Sequence, residues 1–80
     1  MSAADGKKRV VIEILGEEFV IRSSSSVEHM EEVGRYVDEI MKELNEKHPH
    51  MSIYKTAILA SLNIASDLLL SQKQGKRRKR

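Results

Sequence analysis

Few residues in this chain have side chains suited to chemistry, and they are not spaced for it. His48 and His50 flank Pro49. Two imidazoles with no further donor nearby fall short of the three or four ligands a zinc site uses. His29 stands alone on a helical pattern, at the border of its polar and apolar sides. Glu31, Glu32, Glu39 and Glu43 could be read as paired carboxylates for acid–base work. They share the outer side of that pattern with Arg35 and Lys42, and solvated carboxylates are weak general acids or bases at neutral pH. The run Ser23–Ser26 has neither a nucleophile elbow nor a base placed to activate it. Phosphate-cradling and dinucleotide glycine patterns are missing, and with no cysteine there are no disulfides or thiolate ligands. A chain without catalytic, cofactor or metal residues is expected, and its lack of cysteine suits a reducing cytosol.

The basic run Lys76–Arg80 is the sharper candidate. The formal charge of +2 hides a segregation: residues 1–9 sum to +2, residues 10–72 to −6 and residues 73–80 to +6. Five consecutive cations can hold phosphates or an anionic membrane surface, but the acidic body would repel both. With one Phe, two Tyr and no Trp, base-stacking surfaces are scarce. A small dimeric protein whose basic tail binds nucleic acid or anionic membrane is therefore the alternative reading.

The elements that would carry these residues follow from periodicity. Residues 1–8 are expected to be a disordered N-terminal segment, 9–74 one globular dimerisation domain and 75–80 a flexible basic tail. Arg9–Leu15 alternates β-branched residues and reads as a strand. Gly16-Glu17-Glu18 reads as a turn, with Gly16 free to take positive φ, and Phe19–Arg22 as a second strand. Ser25 and Glu28 have the spacing of a capping box. The helix that follows, to about Lys47, gathers Met30, Val33, Val37, Ile40, Met41 and Leu44 within about 100° of arc. Glu31–Arg35, Asp38–Lys42 and Glu43–Lys47 are i,i+4 pairs. His48-Pro49-His50 breaks this helix. Ser52 can cap a second helix, for which Gly75 offers a stop. The fold class is α+β, in the order β-β-α-α. No segment reaches the ~18 continuous apolar residues of a membrane span, and residues 1–9 lack the apolar core of a secretory signal.

The second helix is apolar around too much of its circumference for a chain of 80 residues to cover. Ile53, Ala57, Ala60, Ile64 and Leu68 form one seam; Tyr54, Ile58, Leu62, Ala65 and Leu69 form a second. Together they span roughly 200°, wider than the stripe of a typical surface helix. One seam can pack within the chain and the other needs a partner, most simply a second copy. The small residues Ala57, Ser61 and Ala65 would let two helices approach closely. The expected homodimer interface is Ile53, Ala57, Ala60, Ser61, Ile64, Ala65 and Leu68.

Three stretches together resemble a known family: the Val-x-Ile-x-Ile-x-Gly hairpin within Arg9–Arg22, residues 30–41 (MEEVGRYVDEIM) and residues 57–67 (AILASLNIASD). They are similar to the bacterial cell-division family ZapA over about Lys8–Gln72. Leu62-Asn63-Ile64-Ala65 is the most specific part. The resemblance implies a non-enzymatic cytoplasmic factor at the mid-cell division ring. Such a factor binds FtsZ, the tubulin-like GTPase of the ring, and promotes bundling of its filaments. It also implies a homodimer whose second helix extends into a long coiled coil that pairs dimers into tetramers. Here Gly75 and the basic run replace those heptads, so a dimer without that tetramer is expected. The charged residues best placed to meet FtsZ are Glu17 and Glu18 at the strand turn and Lys47 and Lys55 around the interhelical loop.

Overall fold

In the computed structural model residues 6–78 are described, with side chains through residue 73. The element order is β1 (Lys8–Ile14), β2 (Glu17–Ser23), α1 (Val27–Lys47) and α2 (Ile53–Arg78), the expected β-β-α-α. The chain groups into two compact units that divide between Glu43 and Leu44.

The first unit holds the hairpin and most of α1. β1 and β2 pair antiparallel, with Val10 opposite Ile21, Ile12 opposite Phe19 and Ile14 opposite Glu17. The turn is therefore Leu15-Gly16, not Gly16-Glu17-Glu18; β1 keeps its expected length but sits one residue earlier, and β2 runs longer than the expected Phe19–Arg22. Leu15 has φ 52° and Gly16 φ 80°. Positive φ at both central residues suits the right-handed twist of the strands, but for leucine it costs ~1–2 kcal/mol. The Leu15 amide is held by α1, donating to Asp38 Oδ1 at 2.8 Å. Asp38 also pairs with Lys42 at 3.1 Å, whereas the expected Glu31–Arg35 pair is not closed among the described residues.

Val10, Ile12 and Ile14 share the strand face that turns inward, and Val10 is fully buried. Gly34 is buried in the middle of α1. A methyl group at its Cα would lie 2.8 Å from Ile12 Cγ2, so the helix crosses β1 at backbone distance only because residue 34 has no side chain. The cap of α1 is Ser26, one residue later than the expected Ser25. Its Oγ accepts from the His29 amide at 3.0 Å and its carbonyl from the Met30 amide. Ser25 instead donates its amide to Ser23 Oγ. Glu28 still lies in the first helical turn, where a carboxylate suits the helix dipole.

The second unit begins with the last turn of α1. Pro49 ends that helix as expected, and the Met51 amide bonds back to the His48 carbonyl. Ser52 caps α2 through its Oγ, which accepts from the Lys55 amide at 3.2 Å. Thr56 is fully buried, with its hydroxyl donating to the Ser52 carbonyl. α2 continues through Gly75 to Arg78, about 39 Å at 1.5 Å per residue. A helical glycine costs only ~1 kcal/mol, and the basic residues that follow suit a helix C-terminus, so Gly75 does not act as a stop. Of the expected N-terminal disorder, residues 1–5 lie outside the described residues, and Lys8 opens β1. The tail's last two residues and its side chains lie outside them too.

Candidate assembly surface

The side of α2 turned inward is marked by Thr56 and by Ala60, 3 % exposed, flanked by the half-buried Leu59 and Ile64. This fixes the phase of the helix. The opposite side carries Tyr54 at 72 % exposure, Ile58 at 46 %, Leu62 at 60 % and Leu69 at 56 %. Ile58, Leu62, Ala65 and Leu69 follow one another at the four-three-four spacing of a coiled-coil seam. Tyr54, Lys55 and Ile58 join Met51 and Leu59 in a shallow apolar groove at the start of the helix.

Of the expected dimer contacts, Ile53, Ala57, Ser61, Ala65 and Leu68 are exposed and Ile64 is half-buried. Ala60 has almost no surface to offer a partner and does not belong with them. The exposed seam centres instead on Tyr54, Ile58, Leu62 and Leu69. Periodicity had already separated these two rows but gave no phase; the size of the second row's side chains was the available signal. Ser61 donates its hydroxyl to the Ala57 carbonyl at 2.9 Å, so the one polar residue in the arc is satisfied by its own helix and leaves the seam apolar.

By length and composition alone α2 is long and apolar enough over Ile53–Lys73 to cross a membrane. Its apolar residues are not distributed all round, however. At 100° per residue the exposed Lys55, Asn63, Ser66 and Asp67 fall on the flank that also holds the buried Thr56, away from Tyr54, Ile58, Leu62 and Leu69.

Within the first unit the charged candidates do not form one patch. Glu17 and Glu18 are consecutive in β2 and so project from opposite faces of the sheet. Lys47 ends α1 and Lys55 lies in the first turn of α2, on either side of the 48–52 turn. Among the described residues no cluster of His, Asp and Glu could hold a metal. The Leu15 amide first, and Lys42 second, hold Asp38 below the ordinary carboxylate value. That places it in the architecture of the hairpin.

A hairpin braced by one helix, followed by a helix with a bare heptad seam, defines a small assembly module. The sequence model of the family "Cell division protein ZapA" matches residues 10–80. The cell-division protein ZapA of Bacillus licheniformis is 39 % identical over 67 residues, 82 % of this chain and 79 % of that one. The Bacillus subtilis protein of the same name is 38 % identical over 72 residues, covering 89 % and 85 %. A solved "ZapA mutant dimer from Geobacillus stearothermophilus" superposes with a TM-score of 0.77 at 33 % identity, over 91 % of this chain and 85 % of that one. The chain belongs to the ZapA family of cell-division proteins.

Proposed function

We propose that this chain is a non-enzymatic division factor that pairs with a second copy through the exposed seam of α2. As a dimer it binds FtsZ in the cytoplasm at the division site and promotes association of its filaments. The observation that carries the reading is the bare row Tyr54, Ile58, Leu62 and Leu69 in a family with a dimeric solved member. Contiguous apolar surface of this kind is rare on a solitary soluble chain. Ala57, Ser61 and Ala65 border the row and let a second helix approach. A dimer presents every FtsZ contact twice, and two weak contacts gain strength through effective concentration. Lys47 and Lys55, on either side of the interhelical turn, and Glu17 beside the hairpin turn are the FtsZ-facing candidates. Glu18 projects from the other sheet face.

Co-sedimentation with FtsZ, alongside analytical ultracentrifugation of the chain alone, tests the proposal. Leu62→Asp places a carboxylate in the seam, and an unpaired desolvated charge costs several kcal/mol. It should lower self-association by at least about tenfold and lower FtsZ bundling with it. Lys47→Glu with Lys55→Glu should weaken bundling and leave self-association in place. A wild-type-like dimer from Leu62→Asp rejects the α2 interface. Full bundling by the lysine double variant rejects those two residues as contacts.

A further inference from the structure

We propose that the outer face of the β1–β2 hairpin is a self-complementary contact for a second copy of this chain. The cross-strand register places Arg9 opposite Arg22, Val11 opposite Val20 and Glu13 opposite Glu18. These three pairs share the face turned away from Val10 and Ile12. All six residues are exposed, Val11 at 46 % and Val20 at 53 %. The face is thus banded: a cationic row, an apolar row and an anionic row. Directly opposed like charges destabilise a hairpin, and here they occur at both ends of one face. None of the four side chains makes an ion pair among the described residues. Nor can the two charged rows neutralise each other within the chain. They lie four residues apart along the strand, about 13 Å, beyond the ~8 Å Debye length at physiological salt.

A second copy supplies what the chain lacks. A half-turn about an axis along the Val11–Val20 row lays Arg9 over the copy's Glu13 and Arg22 over the copy's Glu18. The reverse pairs form at the other end, and the valines meet in the middle. The other possible two-fold axis, along the strands, stacks like charge on like, so the bands select one orientation. Two seven-residue strands offer less than the ~800 Å² per partner of a stable interface, so the contact is weak for one hairpin. It strengthens when each assembly presents two faces, a step that rests on the α2 dimer proposed above. The expectation that assembly stops at the dimer was tied to the length of α2; the hairpin face is a separate route past it.

Charge swapping tests this directly. Arg9→Glu/Arg22→Glu makes the face wholly acidic and Glu13→Lys/Glu18→Lys makes it wholly basic. Sedimentation velocity of the full chain at 50 and 500 mM salt reads the step above the species set by α2. For the wild type, association in that step should weaken at least tenfold in high salt. Each double variant, its fold checked by circular dichroism, should lose the step alone and regain it when the two are mixed. A mixture no more associated than its components, or a wild-type step indifferent to salt, would overturn the proposal. If one variant does not fold, the wild-type salt response still decides. Loss of the α2 contact would change the starting size without changing the response to mixing, so the two readings fail separately.

Discussion

Replacing Gly34 by alanine sets two effects of opposite sign against each other. On helix propensity alone the change should stabilise α1 by about 1 kcal/mol. The structure predicts the reverse. The new Cβ would lie 2.8 Å from Ile12 Cγ2 and 2.9 Å from Ile12 Cβ, against about 3.5–4.0 Å for an ordinary carbon contact. Ile12 Cβ is fixed by the strand backbone, so no rotamer of Ile12 removes the clash. α1 and β1 must instead move apart by roughly 0.6–1 Å, and overpacking of this kind costs ~1–3 kcal/mol. The net expectation is a loss of about 1 kcal/mol, which in a chain of this size lowers Tm by roughly 4–8 °C. Thermal melts followed by helical circular dichroism measure it. Protein concentration must be held constant, because self-association raises apparent stability. A Tm above the wild-type value would refute the close crossing of α1 over β1.

At the hairpin turn, Gly16→Ala meets no atom within 4 Å but must keep φ near 80°. It should cost about 1 kcal/mol from backbone strain alone, and Gly16→Asn less, because asparagine tolerates positive φ; equal melts for glycine and alanine would show that the turn relaxes. Acid titration of stability should expose Asp38, whose folded-state pKa is lowered first by the Leu15 amide and then by Lys42. A depressed carboxyl stabilises the fold above its unfolded value and loses that contribution as pH falls through the folded one. Stability should therefore decline as the pH drops below the ordinary value of 3.8, and more steeply for the wild type than for Asp38→Ala; parallel profiles would remove Asp38 from the turn.

The order of elements was legible because each has its own period and punctuation: alternation in β1, a 3.6-residue stripe in α1, a proline break, and Ser52 at the start of α2. The details that escaped depend on contacts between elements. The turn moved onto Leu15 because Asp38, 23 residues away in sequence, supplies the hydrogen bond that holds a leucine at positive φ. A local reading favours glycine and its polar neighbours there. Ser25 and Ser26 are equivalent as cap residues by type, and only the backbone chooses between them. The two seams of α2 are visible in the sequence, but the side that turns inward, marked by the buried Thr56 and Ala60, coincides with neither of them. Ala60, expected at the partner contact, is covered by its own chain. Glu17 and Glu18 looked like one charged pair and became two opposite faces once Gly16 ceased to separate them from the turn. The banding of the outer sheet face needs the register itself, since Arg9 and Arg22 are not neighbours in sequence.

The folded chain is poorly self-sufficient, and that bears on how it works. Among the described residues its buried hydrophobic side chains are Val10, Met41 and Ala60, while eleven large apolar residues remain between 45 and 72 % exposed. Small domains draw their stability from burial, so here much of it must come from association. Folding and assembly then become linked equilibria, responsive to protein concentration in the same sense. The two surfaces contribute differently. The α2 seam supplies apolar area, which is strong but non-directional, and its heptad spacing fixes only that two helices lie side by side. The hairpin face supplies little area but an ordered sequence of charges, and charge complementarity sets orientation and register more than affinity. A chain that separates them can hold a stable pair through α2 while joining pairs through the hairpin by contacts weak enough to reverse. Reversible joining of that kind fits the filament-associating role proposed above.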